Sequence, residues 1–140
     1  MKFINSLHIA SLIGLFSIAL LAQNTCFARE IDTTIRFKSG QSSAILNDQV
    51  KGYNKTYVFN AKAGQNLALS LVPRGGDKGQ LAFTLYAYCG EEYGQLIADM
   101  KVQWQGQLTC NGKHSIDVNP SEDAMKNNYQ LNYQLKIAIE

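Results

Sequence analysis

The stretch Leu81-Ala82-Phe83-Thr84-Leu85-Tyr86-Ala87-Tyr88-Cys89 alternates without interruption. Leu81, Phe83, Leu85, Ala87 and Cys89 fall on one side, and Thr84, Tyr86 and Tyr88 fall on the other. A period of two belongs to a strand with one packed face and one wet face, and this parity turns Cys89 toward the core. The same period extends in both directions along the chain. Upstream, Tyr57, Phe59 and Ala61 share a face, as do Leu67, Leu69 and Leu71; earlier β-rich runs cover residues 31–37 and 44–51. Downstream, residues 114–118 form a short run entered from Asn111-Gly112, and Tyr133, Leu135, Ile137 and Ile139 alternate to the C-terminus. Gly40, Gly52 and Gly64 end successive runs, and Pro73 followed by Gly75-Gly76 predicts a wide polar loop. Helix signals are confined to residues 121–128, where Ser121 is placed to cap a turn begun by Glu122 and Asp123. About eight short runs bounded by turn residues predict an all-β fold, an antiparallel β-sandwich.

Ahead of this pattern lies a different kind of segment. Lys2 precedes an apolar run from Leu7 through Ala22, and Cys26-Phe27-Ala28 stands before the charged Arg29-Glu30. A positive start, an apolar middle and small residues at minus three and minus one read as a secretory leader cut after Ala28. A spanning helix needs about 20 apolar residues, and polar Gln23, Asn24 and Thr25 end this run first. A lipoprotein signal at Cys26 is the other alternative, against which the small apolar residues of such sites are missing before it. The expected organisation is therefore a signal peptide over residues 1–28 and one β-sandwich domain over residues 29–140, exported to the periplasm.

Loss of the leader removes Lys2 and Cys26, leaving 12 basic and 11 acidic side chains and a net charge of +1. Nucleic acid is not an expected partner, because binding by phosphate neutralisation needs a basic excess. Cys89 and Cys110 remain as a pair in an oxidising compartment and predict a disulfide, with free buried thiols or half of a metal site as the alternatives. His114 is the one further soft ligand of the mature chain, too few for a four-ligand zinc shell. No metal and no cofactor is expected.

A catalytic constellation is not legible either. His114 lies within a predicted strand, where packing is its ordinary role, and Gly-x-Ser-x-Gly and His-Glu-x-x-His are missing. Glu91-Glu92 and Glu122-Asp123 are neighbours along the chain and diverge instead of flanking a common bond. The chain therefore reads as a binding protein, not an enzyme. Tyr53, Tyr57, Tyr86, Tyr88, Tyr93 and Trp104 are the aromatic candidates for a contact surface. Tyr53 beside Gly52 and Tyr93 beside Gly94 are carried by turns, whereas Tyr57 alternates with Phe59 toward the core.

Three segments in order carry a resemblance. These are Phe37-Lys38-Ser39-Gly40-Gln41-Ser42-Ser43-Ala44, then Lys51-Gly52-Tyr53, then Thr56-Tyr57-Val58-Phe59-Asn60-Ala61-Lys62-Ala63-Gly64-Gln65. Together they resemble the bacterial periplasmic inhibitors of goose-type (g-type) lysozyme. Asp123-Ala124-Met125-Lys126-Asn127, ahead of the last strand, is similar to that family's Asp-Ala-Arg-Lys-Asn segment. The resemblance implies a protein partner, a lysozyme or other peptidoglycan hydrolase whose cleft is occluded. It also implies a binding surface built from Lys51, Tyr53 and Lys55, with Ser42, Ser43 and Lys126 as further candidates. Ser121 and Met125 stand where family members tend to carry arginine, so Lys126 is the cation left in that segment. The outline Tyr-x-Phe followed by Ala-x-x-Gly-Gln is shared with pre-peptidase C-terminal β-sandwich modules. That keeps open an envelope- or carbohydrate-binding accessory domain, and an immunity protein against a wall-degrading toxin is the third reading.

Overall fold

A computed structural model describes residues 32–76 and 79–140. The leader, Cys26 and the cut after Ala28 lie outside the described residues. Among the described residues nine strands and one short helix follow in the order β1 (Thr33–Thr34), β2 (Ser43–Lys51), β3 (Lys55–Ala61), β4 (Asn66–Arg74), β5 (Leu81–Ala87), β6 (Gln95–Lys101), β7 (Gln103–Gln107), β8 (Gly112–Pro120), α1 (Glu122–Lys126) and β9 (Gln130–Ile139). They form two facing sheets, β1-β3-β8-β5-β6 and β2-β9-β4-β7. Every pairing is antiparallel except that of β1 with β3.

Alternation dictates which side chains face inward. Tyr57 and Phe59 of β3, Phe83 and Leu85 of β5, Ile116 and Val118 of β8 close one half of the core. Leu67, Leu69 and Leu71 of β4 and Leu131, Tyr133, Leu135 and Ile137 of β9 close the other. A fully buried leucine or phenylalanine contributes roughly 1.5–3 kcal/mol over its exposed state, so these rows carry most of the fold's stability. The Ser121 hydroxyl accepts from Ala124 N at 3.2 Å and caps α1, whose Ala124 is wholly buried.

Four expectations are corrected. Of the run at 31–37, the described residues 32–37 form a strand only over β1, with Ile35 N adding one hydrogen bond to Val58 O at 2.8 Å. Pro73 lies inside β4 opposite Tyr133, not in the loop. Neither β6 nor β7 stood out in the sequence. β5 ends at Ala87, and Cys89 takes a left-handed φ of 48°, so its strand parity does not hold.

Cys89 and Cys110 are nonetheless bonded, with Cα atoms 5.3 Å apart. The bridge ties the loop after β5 to the loop before β8, at the end where Ala87 pairs with His114. Between the two cysteines the chain leaves one sheet along β6 and returns along β7 of the other. The staple therefore closes the base of an arch that straddles both layers. A loop of this length, 21 residues apart in sequence, contributes about 3 kcal/mol by the chain-entropy argument.

Candidate functional site

The turn at residues 52–54 crosses from β2 of one sheet to β3 of the other. Gly52 has φ of 71°, a region L side chains avoid, and a Cβ there would stand 2.6 Å from Asn128 Oδ1. Asn128 is itself left-handed, with φ of 54°. The two turns thus interlock, and Lys51 pairs in register with Gln130 just beyond. Tyr53 is 60% exposed beside this contact, and Tyr129 and Met125 are 47% and 39% exposed on the facing segment. Lys126 is exposed and pairs with Glu122 at 2.6 Å, one helical turn away. Lys51, Tyr53 and Lys126 are therefore brought to one end of the sandwich. Met125, which the sequence offered only within the segment resembling Asp-Ala-Arg-Lys-Asn, and Tyr129, which nothing in the sequence singled out, join them.

Lys55 behaves differently although it is two residues from Tyr53. It begins β3, and its ammonium lies 2.6 Å from Asp48 Oδ2 and 5.9 Å from the centre of the Tyr57 ring. Asp48 occupies an inward position of edge strand β2, where Ala44, Leu46 and Val50 are its inward neighbours. Tyr57 Oη donates to Asp48 Oδ2 at 2.7 Å, which leaves Tyr133 Oη to donate to Tyr57 Oη at 2.6 Å. Burial works to raise the Asp48 pKa. Hydrogen bonds from Lys55, Tyr57 and the Gln49 amide, together with the lysine charge, outweigh it and hold the carboxyl below its ordinary value. The Tyr57 phenol is pushed well above its ordinary range, first by burial and then by its bonds to Tyr133 and Asp48.

Ser42 and Ser43 sit at the far end of β2 from Lys51. At about 3.3 Å per residue, the length of β2 separates Ser43 from the turn by roughly 26 Å, so the serines do not share a surface with Tyr53.

His114 is fully buried in β8. Its Nδ1 donates to Gly112 O at 3.0 Å, and its ring stacks on Phe59 with centroids 5.3 Å apart. Nε2 is buried without a partner, and burial lowers the pKa against the opposing effect of the Gly112 bond. It is a core side chain at the end of the sandwich opposite α1. Among the described residues no group of three or more His, Cys, Asp or Glu side chains is placed to hold a metal. No helix among them is long and apolar enough to cross a membrane.

With this arrangement in view, known proteins give a consistent answer. The inhibitor of g-type lysozyme of Escherichia coli K12 is 26% identical over 121 residues, spanning 86% of this chain and 90% of that protein. The crystal structure of the Aeromonas hydrophila periplasmic inhibitor of g-type lysozyme superposes with a TM-score of 0.66 at 28% identity. It covers 78% of this chain and 96% of that one. The chain is similar in both sequence and fold to inhibitors of g-type lysozyme. No protein-family model matches it. The pre-peptidase C-terminal domain of a Bacillus anthracis collagenase also superposes, with a TM-score of 0.50 at 11% identity over 79% of this chain and 96% of that one, a likeness of fold alone.

Proposed function

We propose that this chain is a periplasmic protein inhibitor of a g-type lysozyme that acts by binding and occluding the enzyme, with no catalysis and no cofactor of its own. The observation that carries the reading is the agreement of sequence and fold over nearly the whole length of inhibitors bearing that description. The docking end is the one that joins the 52–54 turn to the α1 segment. Tyr53 and Tyr129 offer large rings that lose little side-chain entropy on binding, and aromatic side chains are enriched in interface cores. Lys51 and Lys126 give that end a positive rim suited to an acidic, sugar-binding cleft, where they would speed encounter more than they tighten the complex. Lys55 serves by bracing the turn from beneath through Asp48. Ser42 and Ser43 fall outside this surface.

The test is lysis of bacterial cell walls by goose-, chicken- and invertebrate-type lysozymes, with and without the purified mature chain beginning at Arg29. Inhibition confined to the goose-type enzyme is the expected result. Full lytic activity of all three at saturating protein would refute the reading.

A further inference from the structure

The two sheets turn very different outer faces to solvent. On the β1-β3-β8-β5-β6 sheet, polar side chains are part-buried and bonded to one another. Thr56 Oγ1 donates to Asp117 Oδ1 at 2.8 Å, Thr84 Oγ1 to Asp99 Oδ1 at 3.1 Å, and Asn119 Nδ2 to Thr84 Oγ1 at 3.0 Å. On the β2-β9-β4-β7 sheet, the outward positions are Ser43, Ile45, Asn47, Gln49 and Lys51 of β2 and Gln130, Asn132, Gln134, Lys136 and Ala138 of β9. Asn66, Ala68, Ser70, Val72 and Arg74 of β4 and Gln103, Gln105 and Gln107 of β7 complete it. Half of these side chains are amides. Lys51, Arg74 and Lys136 are the charges, and no carboxylate points outward from these strands.

The face is also indented. A depression of about 480 Å³ is lined by Asn47, Gln49, Arg74 and Asn132 together with Asp48 and Tyr133. A second of about 280 Å³ has Ile45, Ala68, Ser70, Lys136 and Ala138 on its outer side, and a third of about 340 Å³ has Ala68, Ser70, Gln103 and Gln105. Gln130 donates to Gln49 and Gln134 to Asn47, each at 2.9 Å, which fixes the amides of β9 against β2 and leaves their remaining donors and acceptors facing out.

We infer that this face binds the glycan strand of bacterial-wall peptidoglycan, a polymer of acetamido sugars whose attached peptide stems carry the free carboxylates. Each amide presents both a donor and an acceptor, which is the complement of hydroxyl and acetamido groups. Arg74 and Lys136 complement carboxylates, no acid points outward from these strands, and Asp48 at the edge of the first depression is already engaged by Lys55 and Tyr57. From Gln130 to Lys136 the track along β9 is about 20 Å long at strand rise, enough to hold several sugars. A protein partner fits poorly because the face carries no aromatic side chain, and duplex nucleic acid because three cations neutralise too few phosphates. The chain would then rest on the polymer whose cleavage it blocks, through a face that meets the Tyr53 end only around Lys51.

Co-sedimentation of the mature chain with purified insoluble peptidoglycan tests this, with chitin as a wall-type polymer of acetamido sugars lacking carboxylates. Retention on peptidoglycan at least tenfold above that on chitin, weakening as salt rises, is the expected result. The Arg74→Gln/Lys136→Gln variant should lose at least tenfold of that retention at an unchanged melting temperature, while Lys113→Gln, an exposed cation of the opposite sheet, should bind as the parent does. Failure of the parent to sediment, equal retention on chitin, or equal retention of the double variant would overturn the inference. So would dimerisation in sedimentation velocity that the double variant abolishes, since the face would then belong to a second copy. Lysozyme is not present in the assay, so its outcome is independent of the inhibition measurement.

Discussion

Lys51, Tyr53 and Lys55 fall within five consecutive positions, yet the fold gives them opposite employment. Lys51 and Tyr53 end up exposed at a turn that crosses between sheets, resting on Asn128 through a glycine. Lys55 is drawn down onto Asp48 and over the Tyr57 ring, at the seam where edge strand β2 of one sheet meets β3 of the other. A cluster that is uniform in sequence is thus split into a free half and a fastened half. Proximity in the chain does not make a binding site; the direction in which each strand presents its side chains does.

The sharpest way to break this comparison is to attack the fastened half at its centre. Tyr57→Ala empties a buried aromatic position and strips Asp48 and Tyr133 of a partner, and it should lower unfolding stability by about 3–5 kcal/mol in denaturant titration. The matching change in the free half is Tyr53→Ala. It should leave stability within about 0.5 kcal/mol but weaken lysozyme inhibition roughly thirtyfold, the equivalent of about 2 kcal/mol for an aromatic anchor. An early melt for Tyr53→Ala would move it into the fastened half and withdraw its binding role.

A smaller effect separates the halves by pH. Asp48 has a folded pKa below its unfolded value, so the stability it contributes is complete above about pH 4 and is lost as pH falls through the folded value. Asp48→Asn should cost about 1 kcal/mol at neutral pH, and the gap to the parent should close in acid; a gap that persists at pH 2 would mean the cost is packing and not charge. Smallest of all is charge reversal at Lys51. Lys51→Glu should slow association with the lysozyme by less than about 1 kcal/mol in rate, fading as salt rises, with no change in melting temperature. Lys55→Glu sets a second anion beside Asp48, and thermal melts should show the destabilisation that Lys51→Glu lacks.

How far the sequence could be read follows the same physics. β3, β8 and β9 were legible because their inward rows hold Tyr57 and Phe59, Ile116 and Val118, and Leu135 and Ile137, which alternate with polar residues on a plain two-residue period. β6 and β7 were not, because both are edge strands whose inward faces rest on little more than Ala98, Ile97 and Trp104. Met100, with φ of 48°, and register shifts against β5 also interrupt the alternation. Parity carried Cys89 into the core because it assumes an extended backbone, and that backbone ends two residues earlier. The cysteine pairing itself rested on compartment and count, which local backbone geometry does not disturb. At the candidate site, Lys51 and Tyr53 were readable as turn residues. The Lys55 contact with Asp48 was not, because it depends on how one sheet is laid over the other.

The inward carboxylate of β2 also bears on self-association. β2 is a nine-residue strand at the rim of its sheet, with one row of backbone donors and acceptors unclaimed by a neighbouring strand. Such a rim is a template for another chain to extend the sheet, and a charge aimed inward is one of the devices by which natural edges resist this. To stack edge to edge here, a second molecule would have to crowd the Asp48 and Lys55 charges that hold the seam closed. The same ion pair that braces the 52–54 turn thereby sets charge beside the longest open edge among the described strands.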